Sequence, residues 1–578
     1  MAAKRRPEMQ EEEEHPEHIA RYGPGLVSFV ETPAQARSSA RSARSSLKDD
    51  KSSTSGCDYA DDHSVTCLLD LFQPPVVRQY VQGGRLFRER EERTPDRFEL
   101  FLDLVLVGIV HQLAESASES TSGATIAKVI LTFYPCWSIW TDTRTWLNQS
   151  GVDDISQRIQ VLALLICLVG FSVNASAIEV GPASEGVVSE VAHRLVRRAV
   201  EAVTGEESSS TGTADALHHG PQHAVVAATG FFLVAKLVRI LTYVGYSVLM
   251  PEFRITHLVR AAGLALVSFI FLGCAFVDTI GKVAILASIG MVVEIVLRFG
   301  VGVVVWLDRR KTKREDAARE ASGVHPDAQP YLIPQQLRLF PAYNLEHMVE
   351  RTAAFVTVVL GESVVSLLYI ASQGTIGLSD EFARAVFGLT ITFLFNAVYF
   401  DALSRKFRHA IRRHWFTHLI WDVIHFPMCT GLITASAALN KLVLNIEVEQ
   451  GIRWQYGGGM AVAVFCVTVT GMVHESLDPA GTTKLSQNAR AVLRLLVAII
   501  FALLPLIKHI NDLSFLGIYL GVFSAMVLLE VYAKLGHEER ETEDHTAVRD
   551  REGEPEVAGE GEEEAESESP GGLSKRTD

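Results

Sequence analysis

The sequence lacks the common signatures of soluble enzymes and nucleotide-binding proteins. It contains no HExxH, no GxSxG, no GxxxxGKS/T and no CxxC. Each of these motifs would place a zinc ligand, a nucleophile, a phosphate-binding loop or a redox thiol at a fixed spacing. His474-Glu475 has no second histidine at the required distance. We therefore predict no catalytic residue of these classes, and no basic-aromatic platform indicates nucleic-acid binding.

Cysteine is also scarce, with seven residues in 578 and no paired or metal-type spacing. Within apolar runs a free cysteine acts as a small hydrophobic residue. Five of the seven fall in such runs: Cys136, Cys167, Cys274, Cys429 and Cys466. We therefore expect no disulfide framework, no metal site and no cofactor. The opening MAAKRRPEMQEEEE lacks an apolar core, so we predict no cleaved signal peptide.

Long apolar runs are abundant. Hydrophobic residues make up 48% of the chain and the mean hydropathy is +0.18. A helix needs about 20 apolar residues to cross the hydrocarbon core of a bilayer. Such runs lie near 98–114, 124–147, 158–178, 224–249, 256–277, 282–307, 347–371, 384–402, 417–440, 457–474, 490–507 and 513–533. They predict an all-α, polytopic transmembrane helix bundle of about twelve spans, with a range of ten to twelve.

Basic residues are concentrated in alternate loops, which predicts the orientation of the chain. Arginines and lysines cluster at 78–97, 308–316 and 404–414, whereas the loops 115–123 and 372–383 have none. Loops rich in Lys and Arg stay in the cytosol. We therefore predict an even number of spans with both termini inside.

The net charge of −15 lies mainly at the ends of the chain, outside the apolar runs. We predict a mostly disordered cytosolic tail at 1–96, a transmembrane domain at 97–536 and an acidic disordered cytosolic tail at 537–578. Within the domain, 181–222 forms a long outer loop and 308–345 a cytosolic connector. An amphipathic stretch of the outer loop, VVSEVAHRLVRRAVEAV, fits an interfacial helix and a short soluble helix equally well.

The sixth and twelfth spans carry similar charged residues, which is typical of two related halves. Glu294 and Arg298 have the spacing of Glu530 and Lys534. We interpret both pairs as structural ion pairs between residues four apart on one helix. Two six-helix halves would make a parallel repeat, although chance similarity among Val and Leu residues explains the pattern too.

Four stretches resemble motifs of the low temperature requirement A (LtrA) family of membrane proteins. FELFLDLVLVGIVHQLA is similar to its opening E-L-F-F-D-L-V-F-V helix, with Leu102 and Leu106 in place of phenylalanines. WSIWTDTRTWLNQSGVDDISQR resembles the Trp-rich second helix, and HMVERTAAFVTVVLGESVVSLL the later G-E-S helix. WDVIHFPMCTGLI resembles the His-x-Pro helix of fungal-type members. The resemblance spans about 97–536 and implies a multi-spanning membrane protein, with no established molecular activity.

Three titratable residues share one face of the first span. Glu99 and Asp103 are four residues apart, and His111 lies eight beyond Asp103. This stripe suits a proton or cation path. Alternatively, Glu99 pairs with a base at the cytosolic interface, and Asp103 forms a structural ion pair inside the bundle. An acid at bilayer depth is expensive and is commonly retained for one of these reasons.

Other charged residues lie within later spans. Glu362 falls about eleven residues into the seventh span, and Lys236 and Arg239 fall three apart in the fourth. We expect these bases to be counter-ions of Asp103 or Glu362, or to bind an anion. The alternative is an electrostatic lattice that holds the bundle together. Asp422 and His425 lie just before Pro427, whose effect on the ninth span is either a cavity-lining break or a simple kink.

These observations favour a membrane transporter or channel for a small solute or ion, coupled to protons or cations. The expected partners are the lipid bilayer and that solute or ion, and the plasma membrane is the default location, with an endomembrane as alternative. A non-transporting membrane scaffold is the first rival, and a membrane-embedded lipid-modifying enzyme the second. The candidate pathway residues are Glu99, Asp103, His111, Lys236, Arg239, Glu362, Asp422 and His425.

Overall fold

Twelve long helices form a single bundle in the computed structural model of the chain. The structure describes residues 75–77, 79–82, 85–87, 97–150, 154–178, 221–277, 279–321, 340–371, 377–403, 407–444, 449–476 and 484–534. The helices are α1 Arg97–Ser118, α2 Gly123–Ser150, α3 Ile155–Ser176, α4 Pro221–Leu249, α5 Arg254–Leu272, α6 Ile280–Ala321, α7 Leu345–Ala371, α8 Asp380–Ala402, α9 Trp415–Leu444, α10 Gln450–Val473, α11 Gln487–Leu503 and α12 Asp512–Lys534.

Eleven of these helices are long and apolar enough to cross a membrane. The prediction of an all-α polytopic bundle is therefore confirmed, within the predicted range of ten to twelve spans. The helix outside this set is α2, which carries Lys128, Asp142 and Arg144 among many Thr and Trp residues. It nevertheless has 28 residues and contacts α1, α3, α4, α6, α7 and α9. Its charged residues Asp142 and Arg144 face protein, where ion pairs with other helices hold them.

Polar side chains cap the N-termini of several helices. The Asp154 side chain accepts a hydrogen bond from the Gln157 amide at 2.9 Å at the start of α3. Ser379 caps α8 through the amide of Phe382, and Ser486 caps α11 through the amide of Ala489. These side chains satisfy backbone donors that have no partner within the helix. Short connections then place consecutive helices side by side, as in α4 with α5 and α9 with α10.

Helix α9 lies at the centre and contacts α1, α2, α6, α7, α8 and α10. Glycines allow its close packing on α10: a Cβ added at Gly431 would lie 2.7 Å from the Gly459 carbonyl oxygen, and one at Gly459 2.5 Å from that of Gly431. Small residues at such crossings let helix backbones approach inside a membrane. The helix continues through Pro427 to Leu444, so this proline lies within an unbroken helical segment.

The surface of the bundle is apolar and its interior contains charge. Large hydrophobic side chains point outward, including Phe269 on α5, Phe393 on α8 and Leu528 on α12. Buried charged residues include Arg144, Lys236, Arg351 and Glu362. This arrangement is expected when lipid, instead of water, surrounds the helices. Membrane insertion therefore follows from both the length of the helices and their outward faces.

Short strands tie loops together at two places. β1 Tyr80–Gln82 pairs antiparallel with β2 Arg85–Phe87 and with β3 Phe340–Pro341. β4 Phe407–Arg408 pairs with β5 Glu475–Ser476. The first set joins part of the predicted N-terminal tail to the predicted connector, and α6 extends into that connector as far as Ala321. Residues 1–74, 181–220 and 535–578, which include the amphipathic stretch and the acidic tail, lie outside the described residues.

Candidate ion and proton site

Helices α1 and α7 meet along a line of titratable side chains. On α1, Glu99 and Asp103 are buried, whereas Phe101 and Leu104 on the opposite face are exposed. The helical period thus turns both carboxylates inward. Their partners come from α7, where His347 and Arg351 are also buried and four residues apart. The two helices run parallel here, since residue numbers rise together along the contact.

The carboxylates at this end are held by several hydrogen bonds. The His347 Nε2 atom lies 2.8 Å from Glu99 Oε2, and the Arg351 Nε atom lies 3.2 Å from the same oxygen. Arg351 also donates to both oxygens of Asp103, at 2.5 and 2.9 Å. The indole of Trp140 on α2 donates a further hydrogen bond to Asp103 at 3.1 Å. Asp103 is thus locked in a bidentate arginine pair.

Asn148 determines the orientation of the His347 ring. Its Oδ1 accepts a hydrogen bond from the Asn344 amide at 2.9 Å, so its Nδ2 must be the atom that faces His347 Nδ1 at 3.1 Å. Because an amide nitrogen can only donate, Nδ1 of His347 accepts. The Nε2 atom then carries the proton and donates to Glu99. This gives His347 the neutral form with hydrogen on Nε2.

Further along the same helices, Glu362 on α7 contacts His111 on α1. The His111 Nδ1 atom lies 3.1 Å from each carboxylate oxygen of Glu362. Ser366 donates to Glu362 Oε1 at 2.9 Å. The Glu362 side chain is only 2% exposed, whereas that of His111 is 44% exposed. A buried acid therefore has a histidine partner that is reachable from outside the bundle.

Aromatic side chains pack beside these residues, and one of them, Phe355, comes between Arg351 and Glu362 along α7. Rings of Phe133, Trp137, Trp140, Phe355 and Phe426 pack between α2, α7 and α9, with centroid distances of 4.3 to 6.4 Å. Trp140 belongs to both groups, because it packs on Phe355 and donates to Asp103. We call the line of Glu99, Asp103, His111, His347, Arg351 and Glu362 the α1–α7 seam. We call the five packed rings the aromatic barrier; along α7, its member Phe355 comes between the two polar groups of the seam.

A second group of charges lies between α2, α4, α6 and α9. We call it the six-charge network; its members are Asp142, Arg144, Lys236, Glu294, Arg298 and Asp422. The Lys236 Nζ atom lies 2.6 Å from Asp142 and 3.2 Å from Glu294. Arg298 lies 3.1 Å from Asp142, 3.0 Å from Glu294 and 3.8 Å from Asp422. Arg144 pairs with Asp422 in turn.

The charges of the network balance, and Lys236 has other partners in it than the sequence predicted. Its three acids meet three bases, and Ser138 adds a hydrogen bond to Glu294 at 2.5 Å. Lys236 thus pairs with Asp142 and Glu294, where the sequence pointed to Asp103 or Glu362. Arg239 contacts neither of those acids: it donates to Thr143 at 3.3 Å and stacks on Trp146 at 4.1 Å. Asp422 joins the network through Arg144 and Arg298, whereas His425 forms no ion pair with it among the described residues.

His425 is fully buried, and its hydrogen-bond partners lie outside these groups. Its Nδ1 atom contacts the Trp421 carbonyl oxygen at 2.6 Å, and its Nε2 atom lies 3.2 Å from the Tyr399 hydroxyl. Because the carbonyl only accepts, Nδ1 carries the proton and Nε2 accepts from Tyr399. The structure thus gives His425 two neutral partners, and the pathway role predicted for it remains a prediction.

The ion pairs of α6 and α12 are arranged differently. Glu294 and Arg298 contact each other within α6 at 3.0 Å. Glu530 instead accepts two hydrogen bonds from Arg494 on α11, at 2.5 and 2.7 Å. The side chain of Lys534 lies outside the described residues. Arg260, near the start of α5 as Arg494 is near the start of α11, contacts Gln149 and not Glu294, so these two arginines have different kinds of partner.

Sequence reasoning missed Arg351, His347, Trp140 and Asn148 as residues of the site. A signal for His347 was present, because it lies four residues before Arg351 and so shares its helix face. Trp140 and Asn148 gave no comparable signal, since a tryptophan in an apolar run and an asparagine at a helix end are common in any helical protein. Among the residues described, no group of three His, Cys, Asp or Glu side chains is arranged to hold a metal ion.

Comparison with known proteins agrees with this architecture. A family model described as bacterial low temperature requirement A protein (LtrA) matches residues 96–529. The match covers more than half of the chain, which therefore belongs to the LtrA family. No curated protein and no solved structure matches it.

Proposed function

We propose that this member of the LtrA family moves a small solute or ion across its membrane, coupled to protons or cations. The Glu362–His111 pair is the proposed coupling site. Its support is one contrast inside the bundle: Glu362 is a deeply buried acid whose partner is a histidine. Histidine changes charge near neutral pH, whereas arginine stays charged. An acid held by histidine can therefore gain and lose its counter-charge under physiological conditions.

The proposed cycle starts with protonation of His111, whose side chain is reachable from outside the bundle. The imidazolium then pairs with the Glu362 carboxylate, and the pair is neutral overall. Deprotonation leaves the carboxylate with Ser366 and a neutral imidazole as partners. An acid at that depth favours either uptake of a cation or a different helix arrangement. Proton binding thereby biases the contact between α1 and α7.

The rest of the seam completes the proposed path. Glu99 and His347 form a second acid–histidine pair, on the other side of the aromatic barrier. Arg351 bridges Glu99 and Asp103 and keeps a fixed positive charge beside them. A cation or proton would pass the barrier only when α1 and α7 shift. Midplane sites between helices that change their contacts are typical of secondary transporters.

The test is flux into liposomes that contain the purified protein and a pH-sensitive dye. Imposed gradients of protons, Na⁺, K⁺ and common anions would be applied in turn. We expect proton movement in the wild type, and a loss of at least about tenfold in Glu362→Gln, since the amide cannot ionise. His111→Gln should also lose flux, because its amide keeps a polar contact but cannot be protonated.

Glu115→Gln is the matched control. Glu115 lies one turn beyond His111 on α1 and is exposed, so the same chemical change should leave flux unaltered. Equal flux in Glu362→Gln and wild type, at equal amounts of folded protein, would reject the proposal. No flux from folded wild type under any gradient would favour the scaffold, and lipid turnover by the same sample would favour the enzyme.

A further inference from the structure

Arg239 is a buried cation without an acidic partner among the described residues. Only 1% of the residue is exposed, and its guanidinium lies 4.1 Å from the Trp146 ring centroid. Its NH2 atom donates to Thr143, while Nε and NH1 donate to no described residue. Burying an ion away from water is strongly unfavourable unless it is paired and hydrogen-bonded. The other buried cations of this region have carboxylate partners, so Arg239 stands out.

The six-charge network leaves no carboxylate for Arg239. Asp142 is the nearest acid along α2, but it already lies within 3.1 Å of both Lys236 and Arg298. The network is neutral without Arg239, and adding it gives one excess positive charge. Arg260 on α5 adds a second, because among the described residues it contacts the amide oxygen of Gln149 and the ring of Tyr243 but no acid.

More donors without partners surround these arginines. His257 on α5 is buried, and neither of its ring nitrogens has a hydrogen-bond partner among the described residues. The Nε2 atom of Gln149 has none either. Aromatic rings connect the group: Trp146 donates to the Tyr246 hydroxyl at 3.2 Å, and the Tyr246 and His257 rings are 5.9 Å apart. The cluster thus combines two guanidinium groups, an imidazole and an amide inside an aromatic wall.

We infer that Arg239, Arg260 and His257 form a binding site for a small oxyanion of the phosphate or carboxylate type, between α2, α4 and α5. The chemistry of the donors selects this ligand class. Guanidinium groups present a planar fork that matches two oxygens of an oxyanion. A metal cation would find no carboxylate here, and an apolar solute would leave the same N–H groups without partners.

The position of the cluster along α4 and α5 decides from where an anion can reach it. Arg239 lies ten residues before the end of α4, which is ~15 Å along the helix axis. Arg260 and Tyr246 are only partly buried, so the cluster reaches the surface of the bundle beside them. A soluble anion and the headgroup of an anionic lipid share the required chemistry. The inference concerns binding, and it does not depend on the proposed proton coupling.

Binding can be measured on the full chain in detergent through its unfolding temperature. One series replaces chloride by phosphate at constant ionic strength, and a second adds short-chain phosphatidic acid against phosphatidylcholine. We expect a saturable rise in at least one series, and the series that responds identifies the source. Arg239→Met should abolish the rise, and Arg260→Gln should weaken apparent affinity about tenfold or more, since hydrogen bonds to charged groups are strong. No saturable rise in either series would overturn the inference.

Two further variants separate binding from folding. In chloride alone, Arg239→Met should unfold no earlier than wild type, because no ion pair is lost. Arg494→Met should unfold clearly earlier, since it leaves buried Glu530 without its bidentate partner, yet it should keep the anion response. If Arg239→Met loses as much stability as Arg494→Met, Arg239 is structural and the inference fails. Arg239→Lys keeps the charge without the fork, and should bind more weakly while folding normally.

Discussion

The six-charge network and the Glu362–His111 pair place acids inside the same bundle in opposite ways. In the network, Asp142, Glu294 and Asp422 meet lysine or arginine; Lys236 contacts two of these acids and Arg298 contacts all three. At the pair, one buried acid meets one histidine and one serine. Charge is thus permanent in the first region, and in the second it depends on whether a histidine holds a proton.

This contrast indicates why one bundle contains both arrangements. A network of fixed opposite charges gives specific contacts among α2, α4, α6 and α9, at the expense of desolvating every member. An acid that is paired with a histidine contributes little to such specificity. Its attraction to the histidine, however, changes when the imidazole gains or loses a proton. We therefore expect substitutions in the network to act mainly on stability, and substitutions at the pair mainly on flux. The same Glu-to-Gln change made in both regions tests that expectation directly.

The largest effect on stability is expected from Glu294→Gln. Removing this charge leaves buried Lys236 and partly buried Arg298 with one acid fewer, and breaking a buried pair such as Lys236–Glu294 costs about 3–5 kcal/mol. Denaturant unfolding in detergent, followed by tryptophan fluorescence, measures it. The double variant Lys236→Met/Glu294→Leu removes one charge of each sign and should recover much of the loss. A single variant as stable as wild type would show that the network is not structural.

An intermediate effect is expected from His347→Ala. The substitution removes the donor to Glu99 and the acceptor for Asn148, and leaving buried polar groups unsatisfied costs about 1–3 kcal/mol. Arg351 still contacts Glu99, which limits the loss. The same unfolding assay applies, with His347→Gln as a variant that retains an amide donor and should lose less. Equal losses in the two variants would argue against the hydrogen bond to Glu99.

The smallest effect on stability is expected from Glu362→Gln. The amide keeps its contacts with Ser366 and with the His111 ring, and hydrogen bonds between membrane helices average about 0.6 kcal/mol. The unfolding free energy should therefore fall by about 1 kcal/mol or less, although we expect the same variant to lose flux. A loss as large as that of Glu294→Gln would mean that the pair and the network play the same structural part.

Part of the candidate site could be predicted from the sequence because it depends on one helix alone. The spacing of Glu99, Asp103 and His111 places them on one face in any α-helix, and that is where they lie. The depth of Glu362 likewise follows from its position in an apolar run. Their partners could not be predicted: His347 and Arg351 are about 250 residues away from Glu99 and Asp103, and nothing local specifies the contact between α1 and α7.

Lys236 shows most clearly what the sequence could not predict. Its burial was evident from its place in α4, and so was its need for an acid. Several acids at similar depth were equally plausible, and the packing of α4 against α2 brings it to Asp142 and Glu294. Arg239, one turn along the same helix, faces Trp146 and Thr143 and finds no carboxylate. Three residues along an α-helix leave two side chains about 60° apart around the helix axis. That difference in direction is enough to give Lys236 two acidic partners and Arg239 none among the described residues.

The sequence by itself determined the membrane architecture of this protein, its helical class and the presence of charge within the bilayer. Each of these depends on local quantities: the length of an apolar run, its composition and the period of a helix. Tertiary structure alone decided which charges neutralise each other, which acid meets a histidine and which arginine has no acid. Those outcomes depend on distances of 3 to 4 Å between side chains of different helices, and only the packed bundle sets such distances.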